Sequence, residues 1–223
     1  MRFKAVLFDL DGTLVDTIPD IIQATNAMRV QLGLITLDDA TITAYVGRGT
    51  EELVLRALAH DASSPPSKDL FYQGLTLFKQ CYHEVNGQQS VLFDGVLDGL
   101  QAFARAGVGM AVVTNKQTAF TVPLLQQTGL ADYFDAVVCG DTCAEKKPHP
   151  MPLLHACQLL GVVPEQALMV GDSVNDALAA RAAGMAVVIL PYGYNEGQDV
   201  RNLEVDDIVP SIAAAALWAA SHS

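Results

Sequence analysis

Five short apolar runs, at 5–8, 109–113, 136–139, 167–170 and 186–190, set the strongest limit on how this chain folds. They are continuous rather than alternating and rich in β-branched residues, the pattern of strands buried on both faces of a parallel sheet. Between them, 96–106, 119–128, 151–160 and 175–183 show helical spacing, and Gly107, Gly129, Gly161 and Gly184 stand where those helices should stop. Strand and helix in alternation predict an α/β fold with a doubly wound parallel sheet.

Residues 16–89 break the rhythm. Ile18, Ile21, Ile22, Thr25, Met28 and Leu32 follow helical spacing, as do Leu53, Val54, Ala57 and Leu58, and then Leu70, Leu77, Phe78 and Tyr82. This stretch is expected to be a helical insert of small-domain size, lying over the carboxyl ends of the strands. A loop at 62–66 separates two of its helices. Residues 1–15 and 90–223 are then the α/β core.

The 223 residues carry a net charge of −12, with 51% hydrophobic, so the chain can bury a full core but is a poor binder of nucleic acid or anionic membrane. Arg2 and Lys4 precede an apolar stretch that ends at Asp9, too short for a signal peptide. No run has the length of a membrane span, and the alanine-rich 212–220 reads as a terminal helix. Cys81, Cys139, Cys143 and Cys157 form no CxxC pair and read as reduced thiols. A cytoplasmic protein, monomer or homodimer, is expected, with a small phosphorylated metabolite as its partner.

Ligands bind at the carboxyl ends of such strands, and four strand ends or following loops carry polar residues. The first has Asp9, Asp11 and Thr13; the second has Thr114, Asn115 and Lys116. Later loops have Lys146 and Lys147, and Asp172, Ser173, Asn175 and Asp176. Taken singly, Asp11-Gly12 reads equally well as a turn, Thr114-Asn115 as a helix cap and Gly171-Asp172-Ser173 as a loop. Together they make a chemical set. Asp9, Asp11 and Asp172 suit magnesium, and Asp9 is then a nucleophile toward phosphorus, with Asp11 as acid and then base. Thr114 and Lys147 would hold the transferring phosphoryl oxygens.

The segments 9–17, 114–116, 147–150 and 171–176 resemble, in order and spacing, the four motifs of the haloacid dehalogenase superfamily. That resemblance implies a Rossmann-like α/β/α core with an inserted helical cap, and a magnesium-dependent phosphatase working through an aspartyl-phosphate. It implies Asp9 as nucleophile and metal ligand, Asp11 as acid/base with its backbone carbonyl on the metal, and Asp172 as metal ligand. It gives Thr114 and Lys147 the phosphate and Asp176 the support of Lys147 or of metal-bound water; Thr13 and Asn115 join the expected substrate contacts. Halide-removing members lack the residue matching Asp11, and mutase-type members commonly differ at Thr13.

In the insert, Val46-Gly47-Arg48-Gly49-Thr50 reads as a helix start with Thr50 as N-cap, or as a loop whose Arg48 meets a substrate carboxylate as a fork. That loop, 139–142 and 192–197 are similar to bacterial phosphoglycolate phosphatases, which implies 2-phosphoglycolate as substrate. The alternatives are another sugar-phosphate or nucleotide monophosphatase, a phosphomutase, or a non-catalytic binding protein. His149 stands beside Lys147 in sequence without an assigned role, and Lys146 reads as a flanking charge.

Overall fold

The computed structural model describes residues 3–62, 64–195, 197 and 199–222. Arg2, Ser63 and Glu196 of the segments above lie outside these. Six parallel strands form the main sheet: β1 (Ala5–Phe8), β4 (Gly109–Val113), β5 (Ala136–Val138), β6 (Ala167–Gly171), β7 (Ala186–Ile189) and β8 (Asp207–Ile208). Their order is β5-β4-β1-β6-β7-β8, the Rossmann order, which reverses direction between β1 and β6.

The continuous apolar runs divide by alternation between two cores. Val6, Phe8, Met110, Val112, Leu168 and Val170 pack under α5 (Val96–Arg105), α6 (Thr118–Gln127) and α9 (Ile212–Ser221). Ala5, Leu7, Ala111, Val113, Met169 and Val187 face α7 (Met151–Leu160) and α8 (Val174–Ala182) on the other side. Each strand residue is thus covered whichever way it points, which is why the runs carry no polar alternation. The expected glycines after α5, α6, α7 and α8 all have left-handed backbone.

The chain leaves the sheet through β2 (Val15–Asp16) and returns through β3 (Val91–Leu92), which pair antiparallel as a two-stranded ribbon. Between them lie α1 (Ile18–Gln31), α2 (Asp39–Thr43), α3 (Thr50–Ala59) and α4 (Lys68–Val85), packed around Met28, Ile42, Val54 and Phe78. Phe120 of α6 and Tyr194 join this cluster, so the bundle's core continues onto the sheet domain. Inside the bundle, fully buried Arg29 donates to Ile35 O at 2.6 Å, to Ala57 O and to Asp61. Asp20 accepts from Gly87 N at 2.9 Å, Gln89 N at 2.9 Å and Ser90 Oγ at 2.6 Å, fastening the start of α1 to the returning segment. Among the described residues no helix is long and apolar enough to cross a membrane.

Candidate active site

The reversal of strand order leaves a crevice beyond β1 and β6. Asp9 follows β1 and Asp172 follows β6, so the crevice receives a carboxylate from each side. The Asp9 N–H extends the ladder to Val170 O at 3.0 Å, which fixes its backbone to the neighbouring strand.

Asp172 is fully buried and locked in place. Thr13 Oγ1 donates to its Oδ1 at 2.6 Å, and the Tyr194 N–H donates to its Oδ2 at 2.6 Å. Glycines make room for it: a Cβ on Gly12 would lie 2.5 Å from Asp172 Oδ2, and one on Gly193 only 2.2 Å away. Gly12 also has φ +85°, a conformation that side chains disfavour. Thr13, expected among the substrate contacts, is instead buried behind the site. Its hydroxyl is spent orienting Asp172, and it does not line the cavity.

Lys147 is the buried counter-charge. Its Nζ donates to Val113 O at 2.7 Å and Asp176 Oδ1 at 2.7 Å, and lies 2.9 Å from Asp9 Oδ1. Asp176 Oδ2 accepts from Asp172 N at 3.2 Å, Ser173 N at 3.1 Å and Ser173 Oγ at 2.8 Å, closing a capping box at the start of α8. Asp176 therefore holds Lys147 with one oxygen and the Asp172 loop with the other.

Oxygens of Asp9, Asp172 and Asp176 lie within 4.8 Å of one another. Burial first, then the repulsion of Asp176 set against the pull of Lys147, pushes the Asp9 carboxyl from 3.8 up to about 7. Burial, with Asp9 and Asp176 adding repulsion, raises Asp172 well above its ordinary value. Lys147 is raised despite burial, because Asp176 and Asp9 outweigh the loss of solvation. One ammonium, paired with Asp9 and Asp176, thus serves a cluster of three carboxylates. This donor set fits a hard divalent cation held by Asp9 and Asp172. Asp176 is committed to an ion pair with Lys147, whereas both Asp172 oxygens accept only from uncharged donors, Thr13 Oγ1 and Tyr194 N. The carboxylate of Asp11, which the family resemblance gives to acid/base work with only its backbone carbonyl on the metal, is outside this cluster. Thr17 Oγ1 at 2.8 Å and Lys116 Nζ at 3.0 Å hold it instead.

Asp9, Asp11, Thr114, Asn115 and Lys116 form one wall of a small cavity; Ile21, Val46, Gly47, Leu53, Phe78 and Tyr82 of the bundle form the other. Asn115 is a joint more than a ligand: its Nδ2 donates to Gly47 O at 3.0 Å and Lys147 O at 2.9 Å, and its Oδ1 accepts from Lys147 N at 2.9 Å. Further contacts tie bundle to core at Glu51, which receives Lys146 Nζ at 2.7 Å and Gln117 Nε2 at 2.7 Å. Arg48 is exposed and does not line the cavity, although Gly47 and Gly49 on either side do. Nor is Thr50 an N-cap: Gly49, with φ +91°, occupies that position and α3 begins at Thr50. His149 is exposed at the start of α7, where its Nδ1 accepts from Met151 N at 3.1 Å.

Asp9, Asp11, Thr114, Lys147 and Asp172 all fall inside a stretch that matches a known family. The model of the haloacid dehalogenase-like hydrolase family matches residues 6–190. The chain belongs to that family. It is 48% identical over 217 residues to the phosphoglycolate phosphatase of Thiobacillus denitrificans, covering 97% of this chain and 96% of that protein. It is 49% identical over 215 residues to that of Nitrosospira multiformis, covering 96% and 95%. A predicted phosphoglycolate phosphatase from Haemophilus somnus has a similar crystal structure, with TM-score 0.93 at 34% identity, covering 98% of this chain and 99% of that one.

The contacts that Tyr194, Thr17 and Lys116 make in this hydrolase had no signal in the sequence. Tyr194, in a segment that alone reads as a loop over the sheet edge, gives its N–H to Asp172, and its hydroxyl accepts from Thr17 N at 3.0 Å and contacts Asp16. Thr17 in turn holds Asp11. Lys116 pairs with Asp11 from one side and meets the Tyr82 hydroxyl on the other. All but the Thr17–Asp11 bond join residues far apart in the chain. The Gly193 position provides a test of the Asp172 cradle. Gly193→Ala is expected to raise the Mg2+ concentration for half-maximal activity by roughly 10- to 100-fold, the usual cost of disturbing what orients a metal ligand. An unchanged Mg2+ titration would show that the loop yields without moving Asp172.

Proposed function

We propose that this hydrolase is a magnesium-dependent phosphatase that takes the phosphoryl group from a compact phosphomonoester, 2-phosphoglycolate before others, releasing glycolate and phosphate. The observation that carries the reading is the placement of Asp9, on the cavity wall with Thr114 beside it and Lys147 on its Oδ1. Leu10 N at 2.7 Å and Lys147 Nζ at 2.9 Å both engage Asp9 Oδ1, and Oδ2 is the attacking oxygen.

Asp9 attacks phosphorus, the bond to the ester oxygen breaks, and Asp11 gives that oxygen its proton. Asp11 then takes a proton from the water that attacks the phosphorylated Asp9, and phosphate leaves a carboxylate, a better leaving group than the original alkoxide. Thr114 holds the phosphoryl oxygens through both steps, and Lys147 supplies positive charge beside them, its Asp9 contact being the one it can exchange for a phosphoryl oxygen. Bound between Asp9 and Asp172, Mg2+ supplies the charge neutralisation that lets a carboxylate meet a phosphate dianion. The bundle acts as a lid that excludes bulk water during attack and reopens for release; the Asn115–Gly47 and Lys146–Glu51 contacts are its closed latch.

The size of the cavity supports a small substrate. Val46, Leu53 and Phe78 of the bundle and the backbone of Gly47 and Gly49 close over Asp9 and Thr114, so the space beside the nucleophile is compact. The net charge of −12 speaks against nucleic acid as a partner. We place the enzyme in the cytoplasm with its metabolite, as a monomer or homodimer. Phosphate release from 2-phosphoglycolate, glycerol phosphate, a hexose phosphate and AMP is the test. 2-Phosphoglycolate is expected to lead in kcat/KM by at least about tenfold, with activity lost in EDTA. A lead for AMP or the hexose phosphate overturns the substrate, and isomerised product without free phosphate would mark a mutase.

A further inference from the structure

We propose that Lys116 reads the carboxylate of the substrate and so determines specificity, braced by Tyr82 of the helical bundle; this rests on the phosphatase reading above. Lys116 is the one cation among the described residues that line the cavity, where Asp9 and Asp11 are the anions. The opposite wall is mostly apolar, with Ile21, Val46, Leu53 and Phe78. A substrate anionic at both ends puts its phosphoryl group at Asp9. Its other end then enters a dry space where a carboxylate without a partner is costly. Arg48, whose sequence position suggested that role, is exposed and off the cavity wall, whereas the Lys116 side chain is only 4% exposed and on it.

The ammonium is held for the purpose from two directions. Nζ lies 3.0 Å from Asp11 Oδ1, contacts the Tyr82 hydroxyl, and sits 4.7 Å from the centroid of the Tyr82 ring. An ammonium has three N–H donors; the two Asp11 oxygens, at 3.0 and 3.3 Å, lie in one direction and share a donor, and Tyr82 takes another, which leaves one for a ligand. A buried charge fixed in this way gives up little rotamer freedom on binding. Lys116 follows β4, and Tyr82 belongs to α4. A carboxylate bound here therefore meets core and bundle at their closed contact.

The test compares 2-phosphoglycolate with 2-hydroxyethyl phosphate, its analogue without the carboxylate, on the Mg2+-loaded full chain. The readout is the ratio of the two kcat/KM values. That ratio divides out any loss shared by both esters when Asp11 is disturbed. The native chain should prefer 2-phosphoglycolate, and Lys116→Met should cut that preference by roughly 10- to 100-fold, mostly through KM, as expected for a lost charge-assisted hydrogen bond. Lys116→Arg, which keeps the charge, should retain most of the preference. If Lys116→Met does not fold, Tyr82→Phe keeps the ring and should lower the ratio about threefold or more. An equal loss on both esters at constant KM would assign Lys116 to Asp11 alone and overturn the proposal. So would a native chain that hydrolyses both esters equally well, which would leave the phosphatase reading standing. A native chain that releases phosphate from neither ester defeats that reading itself.

Discussion

Asp9→Asn is expected to fold normally and to lose turnover by on the order of 10⁴-fold or more, as for removal of a nucleophile. The amide matches the carboxylate in shape, so the Leu10 N–H contact at Oδ1 survives, and Lys147 keeps Asp176 at 2.7 Å. The same change has an opposite signature in stability. Folding raises the Asp9 carboxyl from 3.8 to about 7, so between these values the folded chain binds the proton more tightly than the unfolded one. Ionising Asp9 therefore costs the metal-free native chain stability as pH rises through that window, and the cost is complete above it. The Asn variant cannot ionise. In EDTA its melting temperature should gain on the native chain from pH 5 to pH 8, followed by circular dichroism. A variant that loses ground as pH rises would contradict the electrostatics of the cluster.

Lys147→Met has the largest expected effect on the fold. The Lys147 side chain is 2% exposed and balances Asp9 and fully buried Asp176. Removing it leaves buried carboxylates facing one another with no ammonium between them, a loss of about 3–5 kcal/mol. For a domain of this size that corresponds to roughly 6–20 °C in melting temperature. Saturating Mg2+ should restore part of the loss, because a cation bound to the folded state alone stabilises it by mass action. Activity should remain lost, since Val113 O, Asp176 and Asp9 no longer aim a positive charge at the phosphoryl oxygens. A melting temperature within a degree or two of the native value in EDTA would show that Lys147 is not what holds the carboxylates together.

The parts of this account that were legible beforehand share a physical cause. Residues such as Val112 and Val113 face opposite cores, so their strand had to be apolar throughout and stood out as a run. The motif residues Asp9, Thr114, Lys147 and Asp172 stand at strand ends or the loops beyond, where chain direction places them together. What was not legible depends on short or distant pairings. β2, β3 and β8 have two residues each, too few for any periodicity. Thr13 and Asp172 are 159 residues apart, and nothing near Thr13 announces that its hydroxyl turns to a carboxylate rather than a phosphate. Arg48 was singled out by its flanking glycines, yet those glycines bring backbone, not the guanidinium, to the cavity. Lys116 was seen only as part of a motif, because its meaning comes from Tyr82 across the closed interface.

The central claim is that the Asp9 carboxylate becomes phosphorylated. Rapid acid quench of the Mg2+-loaded enzyme turning over radiolabelled 2-phosphoglycolate, followed by peptide mapping, tests it directly. The account predicts a hydroxylamine-sensitive acyl phosphate on the peptide that holds Asp9, formed and consumed at rates compatible with turnover, and none in Asp9→Asn. Rapid product formation with no phosphate on the protein, or label carried by another residue, would contradict it.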